Sequence, residues 1–212
     1  SEGGSRHPDY LAKFPTGTIP SIEDKESGFV LSESHAIMCY LCNKYNWTDL
    51  YPSNHEERAK VDSYLHLHHR NVREASIGLV APKVRKDLNF SEDFLKISQA
   101  NIEKAFKALE NGWLAQSRFL TGDNLTIADM SAYVEIGQLQ SKFTNVYDFE
   151  PLPNITRWLE EMNQVAYHDE VHASLYELGD ISSEAPSMET IISANKKGFV
   201  VIQEQLASMK DQ

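Results

Sequence analysis

The stretch Thr18-Ile19-Pro20-Ser21-Ile22-Glu23-Asp24, followed after a short polar turn by Phe29-Val30-Leu31-Ser32-Glu33-Ser34-His35-Ala36-Ile37, constrains this chain more than any other. Two brief apolar runs, Ile19 to Glu23 and Gly28 to Leu31, are joined by the turn-forming Asp24-Lys25-Glu26-Ser27, and they predict two short strands in a hairpin. A helix is expected next, because Ile37, Leu41 and Tyr45 repeat at helical spacing from Ser34 onward. Pro20 cannot donate to a strand ladder, so it marks either an edge strand or a special backbone position. Glu33 and Ser34 stand where strand gives way to helix. They read either as a helix cap with a favourable first-turn charge, or as part of an anion site built on the free N–H groups of a helix start.

Before the hairpin, Pro8 to Phe14 predicts one or two helical turns, stopped by Pro15 and Gly17. After it, from Asn54, the pattern is helical almost throughout. Val61, Tyr64, Leu65 and His68 to Val72 are assigned to one long helix that also carries Asp62 and Arg73, and Ile102, Phe106, Leu109 and Trp113 to a second helix over 97–113. Thr126 and Asp129, three residues apart, form a capping-box start. Pro153 and Asn154 open a helix through Ile155, Trp158, Leu159 and Met162, and a last helix is expected between Ser187 and Met209, although Gly198 weakens its middle. The division is a partial α/β domain over 1–48, an all-helical domain over 49–178, and a polar linker with a helical extension over 179–212.

Twenty Lys and Arg against 31 Asp and Glu give a formal charge of −11, which repels both a phosphate backbone and anionic lipid, so neither nucleic acid nor membrane is expected as a partner. No apolar run approaches the roughly 18 residues of a spanning helix. Cys39 and Cys42 are too few for a disulfide framework, which points to the cytoplasm, and they lie a full turn past the helix start, where packing outweighs redox chemistry. His66, His68 and His69 are spaced by two and one rather than by a helical turn, so no metal is expected; one or two of them are expected to line a ligand groove. His35 is expected at a subunit seam. The chain opens Ser1-Glu2-Gly3-Gly4-Ser5 and reads as a polypeptide begun internally.

Taken in order, Ile19-Pro20, the Phe-x-x-x-Glu-Ser-x-Ala-Ile run from Phe29 to Ile37, Arg58-Ala59-Lys60-Val61 leading to Leu67-His68-His69-Arg70-Asn71-Val72-Arg73, Phe119-Leu120-Thr121-Gly122 with Leu125 to Asp129, and His168-Asp169-Glu170-Val171-His172 resemble a theta-class glutathione transferase of the plant-like kind. The resemblance covers roughly residues 8 to 178. It implies a partial thioredoxin-like α/β N-terminal domain followed by an all-α transferase domain, in a homodimer whose seam runs along the helix from Ser34 and the helix around Asp62 and His66. The chain would use glutathione as co-substrate, without a metal, to attack a hydrophobic electrophile or an organic peroxide, in a detoxifying role. The implied binding residues are Thr18, Ile19, Pro20, Glu33, Ser34, Asp62 and Arg73. Ile19 pairs its backbone with the cysteinyl part of glutathione across a cis-proline, Glu33 takes the ligand's ammonium and Ser34 its carboxylate. Asp62 reaches the ammonium across the dimer or forms a surface ion pair; Arg73 orients the thiolate or an anionic second substrate, or is merely solvated.

There are departures from the family pattern. Thr18 stands where relatives carry a Lys, and Ser5 where they carry a His, with His7 two positions on. The strand-helix unit that holds the family's activating Ser is expected upstream of Ser1, so no catalytic residue is assigned within the chain. The alternative function is a non-catalytic ligand-binding or interaction module on the same fold.

Overall fold

A computed structural model describes residues 4–69 and 71–210. Pro8–Lys13 forms α1, capped by the His7 imidazole, which accepts the Asp9 N–H at 3.3 Å. β1 (Ser21–Glu23) and β2 (Val30–Ser32) then pair antiparallel in the register Ser21 to Ser32, Ile22 to Leu31 and Glu23 to Val30, and among the described residues they are the whole sheet. Each strand starts two residues later than expected, because Ile19 and Pro20 precede the ladder and Gly28 is spent on the turn at φ +71°, a conformation that glycine adopts without penalty.

α2 (Ser34–Lys44) packs directly behind the hairpin. The Asp24 carboxylate in the hairpin loop accepts the Tyr40 hydroxyl at 2.6 Å and pairs with Lys44, two α2 residues one turn apart. The Lys44 ammonium holds the Asp24 carboxyl well below the usual carboxylate range. On the other side of α2, Cys42 is buried and Cys39 half-buried; burial pushes both thiols up, the opposite of what a reactive thiolate needs.

α3 (His55–His68) starts where the Asn54 side chain accepts the amides of Glu56 and Glu57. It ends earlier than its sequence pattern predicts. The His68 carbonyl accepts the amides of both Asn71 and Arg73 at 3.2 Å, one bond tighter and one wider than the helical ladder, so Arg73 lies beyond α3 rather than on the same helix as Asp62. Arg70 falls outside the described residues. The chain continues through a π-helical turn, Ser76–Val80, into α4 (Ala81–Val84).

The next helix, α5 (Glu92–Ala108), starts five residues before the expected Ile97, because the Ser91 hydroxyl caps it by accepting the Phe94 N–H. It runs on as a π-helical turn, Leu109–Trp113, into α6 (Leu114–Gln116). That turn presents the buried Glu110 carboxylate to the amides of Asn154 and Ile155, the first orphan donors of α8 (Pro153–Met162).

Between them lies α7 (Ile127–Ile136), buried on every side except at Met130 and Val134. Its capping box is formed as expected by Thr126 and Asp129. Asp129 also accepts the Leu120 amide at 2.8 Å and the Trp158 indole N–H at 3.0 Å, so one buried carboxylate holds a loop, a helix start and the α8 tryptophan together. Val61 and Tyr64 of α3, Ile102 and Phe106 of α5, and Ile155 and Trp158 of α8 complete this core.

Two short helices, α9 (His168–Val171) and α10 (Ala173–Leu178), lead through the irregular stretch 179–187 to α11 (Met188–Lys210). α11 is continuous, and it packs back on α9 and α10. Gly198 does not weaken it to the point of a break: a Cβ there would sit 2.9 Å from the Ser174 Cβ, so the glycine is what lets α11 and α10 approach. No described helix is long and apolar enough to cross a membrane.

Candidate glutathione site and the polar relay behind it

The hairpin register brings the two halves of the expected site together. Pairing Ser21 with Ser32, whose hydroxyls lie 2.8 Å apart, sets Ile19-Pro20, just before β1, beside Glu33-Ser34, just after β2. The Ile19–Pro20 peptide is cis. Ile19 is 74% exposed, and among the described residues neither its N–H nor its C=O has a hydrogen-bond partner. Thr18, by contrast, is tied down: its carbonyl accepts the hydroxyls of Tyr10 at 2.7 Å and Ser21 at 2.9 Å. The result is a fixed loop that presents one free backbone unit.

Glu33 is exposed and adopts φ 78° and ψ 115°, a region that residues with a Cβ rarely enter. It occupies the capping position itself, and Ser34 is the first residue inside α2. The reading of Ser34 as the helix cap therefore does not hold. Among the described residues no side chain caps α2, so its first N–H groups leave partial positive charge at the helix end that adjoins Pro20.

Behind this opening a chain of polar side chains enters the helical core. His35 Nε2 lies 2.6 Å from Ser131 Oγ on α7, and Ser131 Oγ lies 3.3 Å from His68 Nδ1 on α3. The Tyr64 hydroxyl is 3.2 Å from the same nitrogen, and His68 Nε2 is 3.7 Å from Glu135 Oε1. Glu135 in turn accepts the Arg73 guanidinium at 2.8 Å and the Ser76 hydroxyl. Burial alone would raise the Glu135 carboxyl, but His68, Ser76 and the Arg73 charge outweigh it and hold it below the usual range. Burial, with His68 and His69 close by, pushes the His35 imidazole down to about 4.

These positions revise several expectations. His35 points into α7 of its own chain rather than to a subunit seam. His68 is buried in the relay rather than lining a groove, His66 is exposed, and the His69 ring lies 4.8 Å from that of His35. Arg73 is half exposed and paired with Glu135 at 2.8 Å. Asp62 stands apart from the opening and accepts the Tyr51 hydroxyl at 2.8 Å, near Cys39 further along α2. Among the described residues no three His, Cys, Asp or Glu side chains converge as a metal site. Ser131 and Glu135 were missed, although two polar residues four apart, beyond the capping Asp129 in a mostly apolar helix, mark one inward-facing polar stripe. An open concavity beside α3, lined by Lys60, Ser63, Tyr64, Trp113 and Gln116, includes none of the residues around Ile19.

Comparison with known proteins accords with this geometry. The pattern described as "Glutathione S-transferase, N-terminal domain" matches residues 1–44, and "Glutathione S-transferase, C-terminal domain" matches residues 71–165. Glutathione S-transferase T3 of Arabidopsis thaliana is 30% identical over 205 residues, covering 90% of this chain but only 33% of its own length. The chain thus spans about a third of that relative. Human glutathione S-transferase theta-1 is 27% identical over 183 residues, covering 82% of this chain and 75% of its own. A crystal structure of human glutathione transferase theta-2, in complex with glutathione and an unknown ligand, has the same fold, with a TM-score of 0.69 at 23% identity over 93% of this chain and 84% of that one. The chain belongs to the glutathione S-transferase family, with theta-class proteins among its relatives.

Proposed function

We propose that the opening between Ile19 and Ser34 binds glutathione, and that the protein acts as a theta-like transferase joining the glutathione thiolate to hydrophobic electrophiles or reducing organic peroxides. The observation that carries this reading is the free, exposed Ile19 backbone held by the hairpin register beside an uncapped helix start. The cysteinyl backbone pairs with Ile19 as an added strand, since an unpaired backbone unit is matched by another extended backbone. The γ-glutamyl carboxylate sits on Ser34 and the first α2 amides, where the helix end favours an anion, and its ammonium faces Glu33. Thr18 shapes the loop through its tied carbonyl. Arg73 lends positive charge near the thiolate from its anchor on Glu135.

In this reading two copies join along α2 and α3, and each Asp62 serves the partner's ligand ammonium. The working place is the cytoplasm and the role detoxification. Rate acceleration arises from holding thiol and electrophile together and from activating the thiol. One observation favours the non-catalytic alternative: the Tyr10 and Ser21 hydroxyls beside Ile19 both donate to the Thr18 carbonyl, and the Thr18 hydroxyl is paired with that of Thr16 at 2.9 Å, rather than standing free for a thiol.

Calorimetric titration with glutathione tests the site. Ser34→Ala should weaken binding by about 1–3 kcal/mol, because a charged ligand group then lacks its hydrogen bond. Unchanged affinity removes Ser34 from the site. Turnover of an aryl halide or hydroperoxide by the same preparation separates the transferase from the binding module, which binds glutathione without turnover.

A further inference from the structure

The last helix carries a surface that neither the fold nor the glutathione reading uses. The face of α11 turned to α9 and α10 is Ile191, Ala194, Gly198, Val201 and Gln205. About a quarter turn away runs a second stripe: Met188, Ile192, Phe199, Ile202, Leu206 and Met209, exposed between 38 and 67%. These positions, with Asn195 filling the one remaining place, follow one another at intervals of four and three without a break from 188 to 209. That is the a/d spacing of a coiled-coil seam sustained over three heptads. Ordinary surface helices carry scattered apolar residues, not an unbroken 4-3 register beside a separate packed face.

From this we infer that α11 pairs with α11 of a second copy of the chain as a parallel two-stranded coiled coil, forming an interface distinct from any contact along α2 and α3. Asn195 fixes both occupant and direction. In a parallel homodimer each core layer meets its own counterpart, so Asn195 faces Asn195 of the second copy and the two amides satisfy each other. Antiparallel registers bring Asn195 opposite Phe199 or Leu206 and leave a buried amide unpaired, which is costly. An arbitrary apolar partner offers no reason for a single polar layer within the seam. The flanks agree, since Lys196 and Gln203, which border the stripe, place no like charges opposite each other in the parallel alignment.

The size of the stripe is sufficient. At about 150–250 Å² for a whole large side chain, six side chains exposed to this degree present on the order of 600 Å², and a symmetric pair buries on the order of 1,200 Å². That clears the roughly 1,000 Å² expected of a specific interface, at its lower end. The packed face and the stripe lie about 90° apart, and two-fold symmetry sends the two molecular bodies to opposite sides of the seam.

Sedimentation equilibrium on the full 212-residue chain tests this, with Phe199→Glu and Leu206→Glu as variants. Both side chains are exposed in the single chain, so the fold is retained, and an unchanged melting temperature at high dilution checks it. Each charge should weaken α11 association by at least tenfold. A dimer along α2 and α3 is untouched by either change, so it sets the baseline mass and not the difference between variants. Asn195→Cys should cross-link under mild oxidation, whereas Lys197→Cys, on the opposite side of the helix, should not. Equal masses for wild type and both glutamate variants overturn the proposal, and so does a lowered mass without the Asn195→Cys cross-link, which signals an antiparallel or heterologous contact.

Discussion

The core around α7 and the hairpin end of α2 solve opposite problems. At Asp129 every available donor is matched to the carboxylate, and the residue is fully buried. At Ile19 and Ser34 backbone groups stand open, an apolar side chain faces water, and Glu33 is held at a positive φ. The first region is complete without a ligand, whereas the second is organised so that something else completes it. Stability and function are thus separated in space, and mutations should separate them in measurement.

The sharpest contrast is expected at Asp129. Removing the carboxylate with Asp129→Ala orphans the Leu120 and Thr126 amides and the Trp158 indole at once, and should cost about 3–5 kcal/mol of stability. Urea unfolding measures it. A cost near that of an ordinary surface change would mean that the α7 start is not the keystone of the helical domain. Ser34→Ala should do the reverse, lowering glutathione affinity while leaving the unfolding midpoint within experimental scatter.

Glu33→Gly sharpens the comparison because its two effects should have opposite signs. A left-handed φ on a residue with a Cβ stores on the order of 1 kcal/mol, which glycine releases. Unfolding experiments should therefore find the variant as stable as the parent or more so, while calorimetry finds weaker glutathione binding. Lost stability would show that Glu33 holds the fold and not the ligand.

The parts of this arrangement that were legible in the sequence are those fixed by local chemistry. The hairpin turn, the Thr126 and Asp129 box and the helical repeat from Ser34 depend on neighbours within a few residues, and each formed close to its expected bounds. The end of α3 depends instead on where the His68 carbonyl finds its donors, which no spacing of apolar residues encodes. The same holds for the site. Ile19, Pro20, Glu33 and Ser34 meet because a short hairpin has few possible registers, whereas the relay joins positions as far apart as His35 and Ser131, whose separation of 96 residues leaves no local trace. Gly198, read as a weakness, is explained only by the Ser174 it faces.

A pH-dependent effect probes the seam between the two regions. His35 joins the start of α2 to Ser131 of α7, with His68, His69, Arg73 and Glu135 close by, and in the folded chain it takes up a proton only near pH 4. Unfolded, the same imidazole titrates near 6.5. Between those values the unfolded chain binds the extra proton, so the stabilisation His35 provides is complete above about pH 6.5 and drains away as the pH falls toward 4. Carboxylates such as Asp24 and Glu135, held below their usual range, lose their contributions at lower pH, and the burial-lowered His172 leaves a residual slope in the same window. Replacing His35→Gln keeps a hydrogen-bonding side chain but nothing that titrates. It should flatten the stability profile between about pH 4 and 6.5 by less than the roughly 1.4 kcal/mol per pH unit that one full proton sets. A parent profile as flat as the variant's would mean that the two regions meet without electrostatic coupling at His35.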